Sequence, residues 1–476
     1  MKISRYTILV FLFLLQGIKS CIPIKQIREV KTNLTKSYNG INKDTLNSAS
    51  TSWKVFFNDT ELNNLIDSAL VNNQELKIFL QKIEVANNEI KIRKGEYLPF
   101  VNYKIGSEID KVGEFTRNGS VESNLPIKED KTFPDPLSNF SLGLNASWEL
   151  DIWKKLRNSK KAAIIEYLST IEGKNFIITN LVTEIASAYY ELLALDNQLV
   201  IINKNLEIQR NALKIVKIQK KAARTTELAV KRFEAELSKN KSRKFEIKQS
   251  IVEIENQINF LIGKQPSSIN RNSDNFLKKT IDSVFTGIPV QLLSNRPDIR
   301  KAEFELEASK LNVKIARANF YPSFSLRAGI GLEAFKTKFL TSTPQSLIYN
   351  LSGDIVGPLI NRNAIKATYK NANAKQLASI YEYEKTVLNS YIEVINNLSK
   401  IENLKNKYAF KNKQVEILTK SIEVSNTLYQ SARADYMEVL LTQREALDSK
   451  MELIDVKKDR LIARVNLYRS LGGGWK

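Results

Sequence analysis

Cys21 is the only cysteine in this chain of 476 residues, and its setting predicts one covalent reaction. Two basic residues precede an apolar run over residues 8–15, and a small residue, Ser20, stands immediately before the cysteine. This order is typical of a secretory signal whose cleavage leaves a lipidated cysteine at the new amino terminus. We therefore expect residues 1–20 to be a lipoprotein signal peptide and Cys21 to carry a covalent lipid such as palmitate. A cleaved ordinary signal followed by an unmodified cysteine is the alternative.

The composition offers little other chemistry. Histidine is absent, which removes the commonest general base, the serine–histidine triads and histidine metal sites. With three methionines, a thioether relay for copper is poorly supported. The net charge is +21, but the basic residues alternate with acidic ones, as in residues 227–255, which indicates solvated helix faces and no nucleic-acid surface. The sequence therefore indicates a protein that is no enzyme and has no cofactor beyond the lipid.

Proline and glycine almost vanish from two very long stretches. No proline occurs between Pro136 and Pro266 or after Pro358, and residues 359–471 also contain no glycine. Because proline costs about 3 kcal/mol and glycine about 1 kcal/mol inside a helix, their exclusion predicts unusually long helices. At ~1.5 Å per residue, a helix from about residue 158 to about residue 221 would run roughly 90–100 Å.

Strict alternation of apolar and polar residues precedes each of these stretches. It covers residues 139–150 and 324–334, and weaker copies cover residues 101–109 and 347–355. Each segment is about ten residues long, which is the length of a tilted membrane-spanning strand. Two predicted hairpins, each followed by a long helical region, indicate an internal duplication.

The duplication gives the predicted domain organisation. A lipidated tether over residues 21–60 is followed by a first repeat over 61–270, a linker over 271–300 and a second repeat over 301–476. In both repeats we expect a helix, a hairpin and then long helices. The segments 114–136 and 336–344 are expected to be the hairpin loops.

Four strands are too few to close a barrel. An open sheet in lipid would leave two edges of unsatisfied backbone groups, so the chain is expected to oligomerise. Two copies give eight strands and three copies give twelve; alternation does not choose between them, although a conducting lumen favours the larger number. A soluble coiled-coil scaffold would explain the helices but would leave the strands without a purpose.

Several motifs in the correct order resemble one family. The linker contains PVQLL at residues 289–293 and RPDIR at 296–300, the first hairpin ends WELD at 148–151, and the chain ends LGGGWK from residue 471. These pieces are similar to the TolC-like outer-membrane efflux proteins, specifically the NodT-type lipoproteins of RND efflux systems. The resemblance covers nearly everything from about Leu62 onward.

The resemblance implies a homotrimer with a mixed fold. Its twelve strands, four from each protomer, would form a β-barrel in the outer membrane, in contact with lipid, above a long α-helical periplasmic barrel. The chain would be a passive exit duct for small toxic compounds, supplied by a periplasmic adaptor protein and an inner-membrane RND-type transporter. An exit duct for metal ions or for proteins of a type I secretion system is the alternative.

The resemblance also implies two groups of site residues near the helix turns at 222–227 and 431–436. Members of the family usually carry glycine in these turns and meet the adaptor there, whereas this chain has alanine followed by arginine. The expected adaptor-contact residues are Ala223, Arg224, Thr225, Ala432, Arg433, Ala434 and Asp435. We hypothesise that the two arginines bind acidic or carbonyl groups of a matching adaptor. Solvated helix ends without a partner are the alternative.

The second group is a constriction of the pore. Tyr429 matches the tyrosine that closes the pore in the family, and Glu438 occupies a position where an acidic residue is usual. Three symmetry-related copies of Glu438 would form a carboxylate ring that favours cations. A surface glutamate in an ordinary helical charge pair is the alternative.

Overall fold

The computed structural model of the protein describes residues 28–31, 34–35, 37–38, 46–127, 132–274, 276–279, 284–360, 362–431 and 433–476. The chain divides into two compact units. The sheet unit includes Val85–Tyr167 and Phe304–Ile380, and the helical unit comprises Val30–Glu84, Leu168–Glu303 and Tyr381–Lys476. Both halves of the duplicated sequence contribute to each unit.

Long helices account for most of the described chain, as the absence of proline and glycine predicts. The longest helices have 67 and 68 residues. In chain order the helices are α1 (Trp53–Phe57), α2 (Thr60–Asn72), α3 (Gln74–Tyr97), α4 (Arg117–Asn124), α5 (Lys155–Lys221), α6 (Glu227–Leu261), α7 (Leu292–Asn295), α8 (Pro297–Ala318), α9 (Asn363–Gln430) and α10 (Tyr436–Ser470). None of the helices among the described residues is both long and apolar enough to cross a membrane.

Four strands form a single antiparallel sheet in the order β1-β2-β3-β4. They are β1 (Phe100–Asp110), β2 (Leu137–Leu150), β3 (Ser323–Ala334) and β4 (Leu347–Val356). The four strands predicted from alternation are therefore confirmed. The segment expected as the first hairpin loop, residues 114–136, lies between β1 and β2 and contains the short helix α4, which Thr116 caps.

The register of the sheet separates apolar from polar side chains. One rung aligns Tyr103, Leu144, Ile330 and Tyr349 on one face, and the adjacent rung aligns Asn102, Asn145, Gly329 and Asn350 on the other. Directly opposed residues in an antiparallel pair point to the same face, so the two faces differ in polarity over most of the sheet; Ile348, opposite Gly331, is an apolar residue on the polar face. The outer strands β1 and β4 are the two edges.

A pair of glycines lets β2 and β3 approach closely. Gly143 lies opposite Gly331, and a Cβ atom on Gly331 would lie 2.7 Å from the carbonyl oxygen of Leu142 and 2.9 Å from the Cα atom of Gly143. Contacts of this length are shorter than a real Cβ atom makes. The pairing of these strands therefore requires glycine at position 331.

The core of the helical unit is formed mainly by α2, α5, α6 and α10. Phe56 of α1 stacks on Tyr468 with ring centroids 4.0 Å apart, and the Tyr468 hydroxyl donates to the carbonyl oxygen of Thr51 at 2.6 Å. The segment predicted as a tether over residues 21–60 thus ends in residues packed against α10. Fully buried members of this core include Leu62, Ile66, Ile185, Tyr189, Leu192, Leu193, Ile258 and Tyr468.

The linker motif lies in a buried polar network of the same unit. The Arg296 side chain is buried and donates two hydrogen bonds to the Asp298 carboxylate, at 3.0 and 2.6 Å. It also donates to Glu393 at 2.8 Å and to the carbonyl oxygen of Ser470 at 2.9 Å. Arg296 therefore joins the start of α8, the middle of α9 and the end of α10.

Both repeats end their last helix in the same way. Gly263 and Gly472 have positive φ angles of 67° and 94°, and each follows a helix whose final carbonyl groups accept hydrogen bonds from the glycine and the next residue. This pattern is the Schellman motif, which favours glycine. It confirms the correspondence between the two halves that the sequence predicts.

Candidate functional site

The first helix turn of the site connects α5 to α6. The Arg224 N–H donates to the carbonyl oxygen of Gln219 at 2.9 Å, and the Ala223 N–H donates to that of Lys220 at 3.0 Å. Ala223 has φ of 55°, a left-handed conformation for which glycine is usual. Thr226 then begins α6 by accepting a hydrogen bond from the Ala229 N–H at 3.3 Å. Alanine therefore occupies a position that carries backbone strain.

The second turn, between α9 and α10, has the same construction. The Arg433 N–H donates to the carbonyl oxygen of Leu428, five residues earlier, at 2.8 Å. In the first turn the Arg224 N–H makes the equivalent hydrogen bond to Gln219. Asp435 begins α10 by accepting hydrogen bonds from the N–H groups of Met437 and Glu438, at 2.6 and 3.2 Å. Ala432 lies outside the described residues. The two arginines predicted from the sequence thus occupy equivalent positions, and both side chains are exposed.

A small apolar cluster holds the two turns together. It consists of Val216, Ala229, Val230, Phe233 and Leu440, and we call it the turn cluster. The Phe233 and Tyr436 rings approach with centroids 6.5 Å apart, and Arg232 contacts the Met437 sulfur at 3.2 Å. The two turns with the equivalent arginines are therefore joined to helices that pack against each other.

The predicted constriction residues have different environments. The Tyr429 hydroxyl donates a hydrogen bond to the side-chain oxygen of Gln219 on α5, and the tyrosine is half-buried. Glu438 is exposed on the first turn of α10. The structure therefore places Tyr429 in a contact between helices of one protomer. The ring of three Glu438 carboxylates stays a prediction.

Charged residues at the first turn form two ion pairs that no sequence motif indicates. Lys220 pairs with Glu227, and Lys217 pairs with Glu234 at 2.8 Å. The hydrogen bond from the Lys220 ammonium holds the pKa of the Glu227 carboxyl below its ordinary value. Glu227 is thus paired with Lys220 close to the exposed Arg224. Lys217, Lys220 and Gln219 carry no pattern in the sequence that distinguishes them from other polar helix residues.

Of the remaining predicted site residues, Thr225 and Ala434 are among those that the structure describes and Cys21 is not. Thr225 and Ala434 are half-buried beside the exposed arginines. Cys21, the predicted lipid attachment site, lies outside the described residues. No cluster of metal-ligating side chains occurs in the part of the chain that the structure describes.

The sheet supplies the second functional surface. Its apolar face includes exposed Tyr103, Ile105, Leu144 and Tyr349, which are between 52% and 81% accessible. A sheet with one apolar face, an opposite polar face and two open edges is suited to contact lipid on one side and water on the other. Together with the long duplicated helices, this sheet defines the class of protein as a TolC-like outer-membrane channel.

The chain belongs to the outer membrane efflux protein family, whose model matches residues 65–264 and 288–473. The cation efflux system protein CusC of Escherichia coli O6:H1 is 28% identical over 450 residues, which cover 94% of this chain and 93% of CusC. The probable outer membrane lipoprotein SilC of Salmonella typhimurium is 24% identical over 466 residues, which cover 98% of this chain and 97% of SilC.

The fold agrees with a solved channel. The crystal structure of the open state of the MtrE outer membrane channel of Neisseria gonorrhoeae is similar, with a TM-score of 0.83 at 22% sequence identity. The match covers 96% of this chain and 99% of MtrE. The family, the TolC-like fold and the outer-membrane location expected from the sequence are thus confirmed.

Proposed function

We propose that this chain is the outer-membrane exit duct of a tripartite efflux system, in which three copies close a barrel of twelve strands. The observation that carries the proposal is the four-stranded sheet with one apolar face and two unpaired edges. In lipid, each edge needs a neighbouring strand to satisfy its backbone groups, and β1 of one copy supplies such a strand to β4 of the next.

Assembly is tested by purifying the full chain in detergent and measuring its mass and its conductance in planar bilayers. We expect a mass of three protomers and discrete pores. A chain that stays monomeric and soluble without detergent would exclude the duct. A dimer with an eight-stranded barrel would instead show a mass of two protomers together with pores.

We propose small toxic compounds as the exported substrates and an inner-membrane RND-type transporter as the source of energy. The alternative, metal-ion export, is favoured by one observation, namely the similarity to a protein named as part of a cation efflux system. Deleting the gene and measuring growth inhibition separates the two. Sensitisation to dyes and detergents supports the proposal, whereas sensitisation to copper or silver salts alone supports the alternative. A type I system would instead show loss of a secreted protein.

We propose that Arg224 and Arg433 bind the adaptor protein. Both side chains are exposed at equivalent positions of two turns that share one apolar cluster, so they present a paired positive charge. Replacing both by glutamate is expected to abolish resistance without changing the yield of assembled protein. Replacing both by lysine is the matched control, because it keeps the charge and should preserve most resistance. Resistance that survives the glutamate variant would reject this contact.

We further propose that Cys21 carries the lipid and that Glu438 lines the pore. Radiolabelled fatty acid should enter the wild type and not a Cys21→Ser variant; equal labelling would exclude this attachment site.

A Glu438→Gln variant should lose cation selectivity in bilayers. Unchanged selectivity would show that the glutamate is a surface residue.

A further inference from the structure

A layer of buried amide side chains interrupts the apolar core of the helical unit. Gln209 on α5, Asn240 on α6 and Gln443 on α10 are 2%, 1% and 5% accessible, and we call them the amide layer. The turn cluster lies on one side of this layer. A second apolar cluster, here called the bundle cluster, lies mostly on the other side, with Leu195, Ile202, Leu206, Ile247, Leu447 and Met451 beyond the layer and Leu237 on its turn side.

The helix register places the three amides at one level. The Phe233 and Tyr436 rings are in contact near the start of α6 and of α10, and each helix begins at a turn. Asn240 lies seven residues beyond Phe233 on α6, and Gln443 lies seven residues beyond Tyr436 on α10. The Asn240 amide donates to the Gln209 side-chain oxygen at 3.1 Å, which ties α6 to the antiparallel α5. The Arg243–Asp448 ion pair at 2.7 Å fixes the same register of α6 against α10 on the far side of the layer.

The layer is not fully satisfied. Among the described residues, the Gln209 Nε2 and Gln443 Oε1 atoms are buried without a hydrogen-bond partner. A buried polar atom without a partner is costly, whereas the same atom gains a hydrogen bond to water when bending of the helices at this level exposes it. The layer therefore destabilises the straight, packed arrangement relative to one in which the helices bend at the layer.

From this arrangement we infer that the amide layer is a hinge, at which the turn end of the helical unit moves as a body held by the turn cluster. The bundle cluster stays packed while the turn end tilts about the layer, because the layer is the weak section of the core between the two clusters. This inference rests on the proposed duct function, for which the turn end has to open. It assigns to Gln209, Asn240 and Gln443 the role of lowering the free energy of opening.

The test replaces the layer by apolar residues. A Gln209→Leu/Asn240→Leu variant should raise the thermal unfolding midpoint by on the order of 3 °C and lower bilayer conductance about five-fold, because the packed arrangement is stabilised. Hydrogen exchange of residues 212–236 should slow, while exchange of the bundle cluster stays unchanged. The matched control is Asn211→Leu/Gln249→Leu, which makes the same two replacements at exposed positions of α5 and α6.

A second variant acts in the opposite direction and covers the case in which the first one misfolds. Leu213, which packs against both clusters, is replaced by glutamine to widen the layer. We expect faster exchange at the turn end and a higher conductance. Unchanged exchange and conductance in both variants would overturn the hinge, as would added stability with unchanged conductance. A wild type that forms no pores would instead reject the duct, while the exchange measurement would still report on the hinge.

Discussion

The Tyr429 hydroxyl donates a hydrogen bond to the side-chain oxygen of Gln219, which joins the last turn of α9 to the last turn of α5. The two helices end in the equivalent turns that carry Arg433 and Arg224. This contact thus links the two repeats at the end where the site residues lie, in addition to the turn cluster. Its removal tests whether this contact restrains the pore.

A Tyr429→Phe variant deletes the hydroxyl and keeps the ring. Because one net hydrogen bond is worth about 0.5–1.5 kcal/mol, we expect the equilibrium to shift towards the open pore by roughly two-fold to ten-fold. Single-channel recording measures the open fraction. Tyr436→Phe is the control, since that ring packs on Phe233. Equal open fractions in the wild type and Tyr429→Phe would show that this hydrogen bond does not restrain the pore.

Ala223 is expected to be a strained residue. Its φ of 55° costs a residue with a Cβ atom about 1 kcal/mol, so Ala223→Gly should stabilise the first turn by a similar amount. The rate of limited proteolysis at this turn should fall. Ala212→Gly, within α5, should have the opposite effect, because glycine weakens a helix interior. Faster cleavage of Ala223→Gly than of the wild type would contradict the assignment.

Gly331 is expected to limit strand pairing. In Gly331→Ala the added Cβ atom would meet backbone atoms of β2 at 2.7–2.9 Å, so the strands have to separate. The yield of oligomer that resists unfolding in detergent gels should fall severalfold. In the control, Gly353→Ala, the nearest atom is a Leu326 methyl carbon at 3.3 Å, and the yield should be nearly unchanged. Similar yields from both variants would show that the sheet adjusts to the extra atom.

Arg296 is expected to be critical for stability. An Arg296→Ala variant leaves the Asp298 and Glu393 carboxylates without their buried partner, which typically destabilises by about 3–5 kcal/mol. The thermal unfolding midpoint is the measurement. Arg93→Ala is the control; its side chain is 38% accessible, and its ion pairs should contribute less than about 1 kcal/mol. A small effect at Arg296 would indicate that water replaces the guanidinium.

Lys457 should make stability depend on pH. Burial, together with the nearby Arg460 charge, lowers the pKa of Lys457 to about 8, and its ammonium donates to the carbonyl oxygen of Lys279. Since the pKa is lower in the folded chain than the ordinary 10.5, unfolding takes up a proton between these values and stability rises as pH increases through this window.

A Lys457→Met variant removes this dependence. The variant should unfold at a higher temperature than the wild type near pH 7, and the difference should shrink as the pH approaches 10. The comparison within one pH cancels the titration of other groups. A difference that stays constant from pH 7 to pH 10 would show that Lys457 does not titrate in this range.

Local preferences in the sequence were enough to predict the four strands and the long helices, although not the short helix α4. The four strands follow from alternation, because a sheet with one apolar and one polar face requires it. The long helices follow from the exclusion of proline and glycine, and the paired ends at Gly263 and Gly472 follow from the need for a left-handed residue. The arginines of the two turns could be named because the chain resembles a family whose members meet the adaptor at these turns.

Contacts between distant segments could be decided only by the tertiary structure. Gln219 and Tyr429 are 210 residues apart, and nothing in either local sequence marks the other as its partner. The amide layer is equally hidden, because glutamine and asparagine on a long helix are ordinary surface residues until the packing of three helices buries them. The sequence determines which segments are rods and strands through short-range sterics and periodicity. The pairing of their faces depends on side-chain complementarity over long distances, which no local pattern encodes.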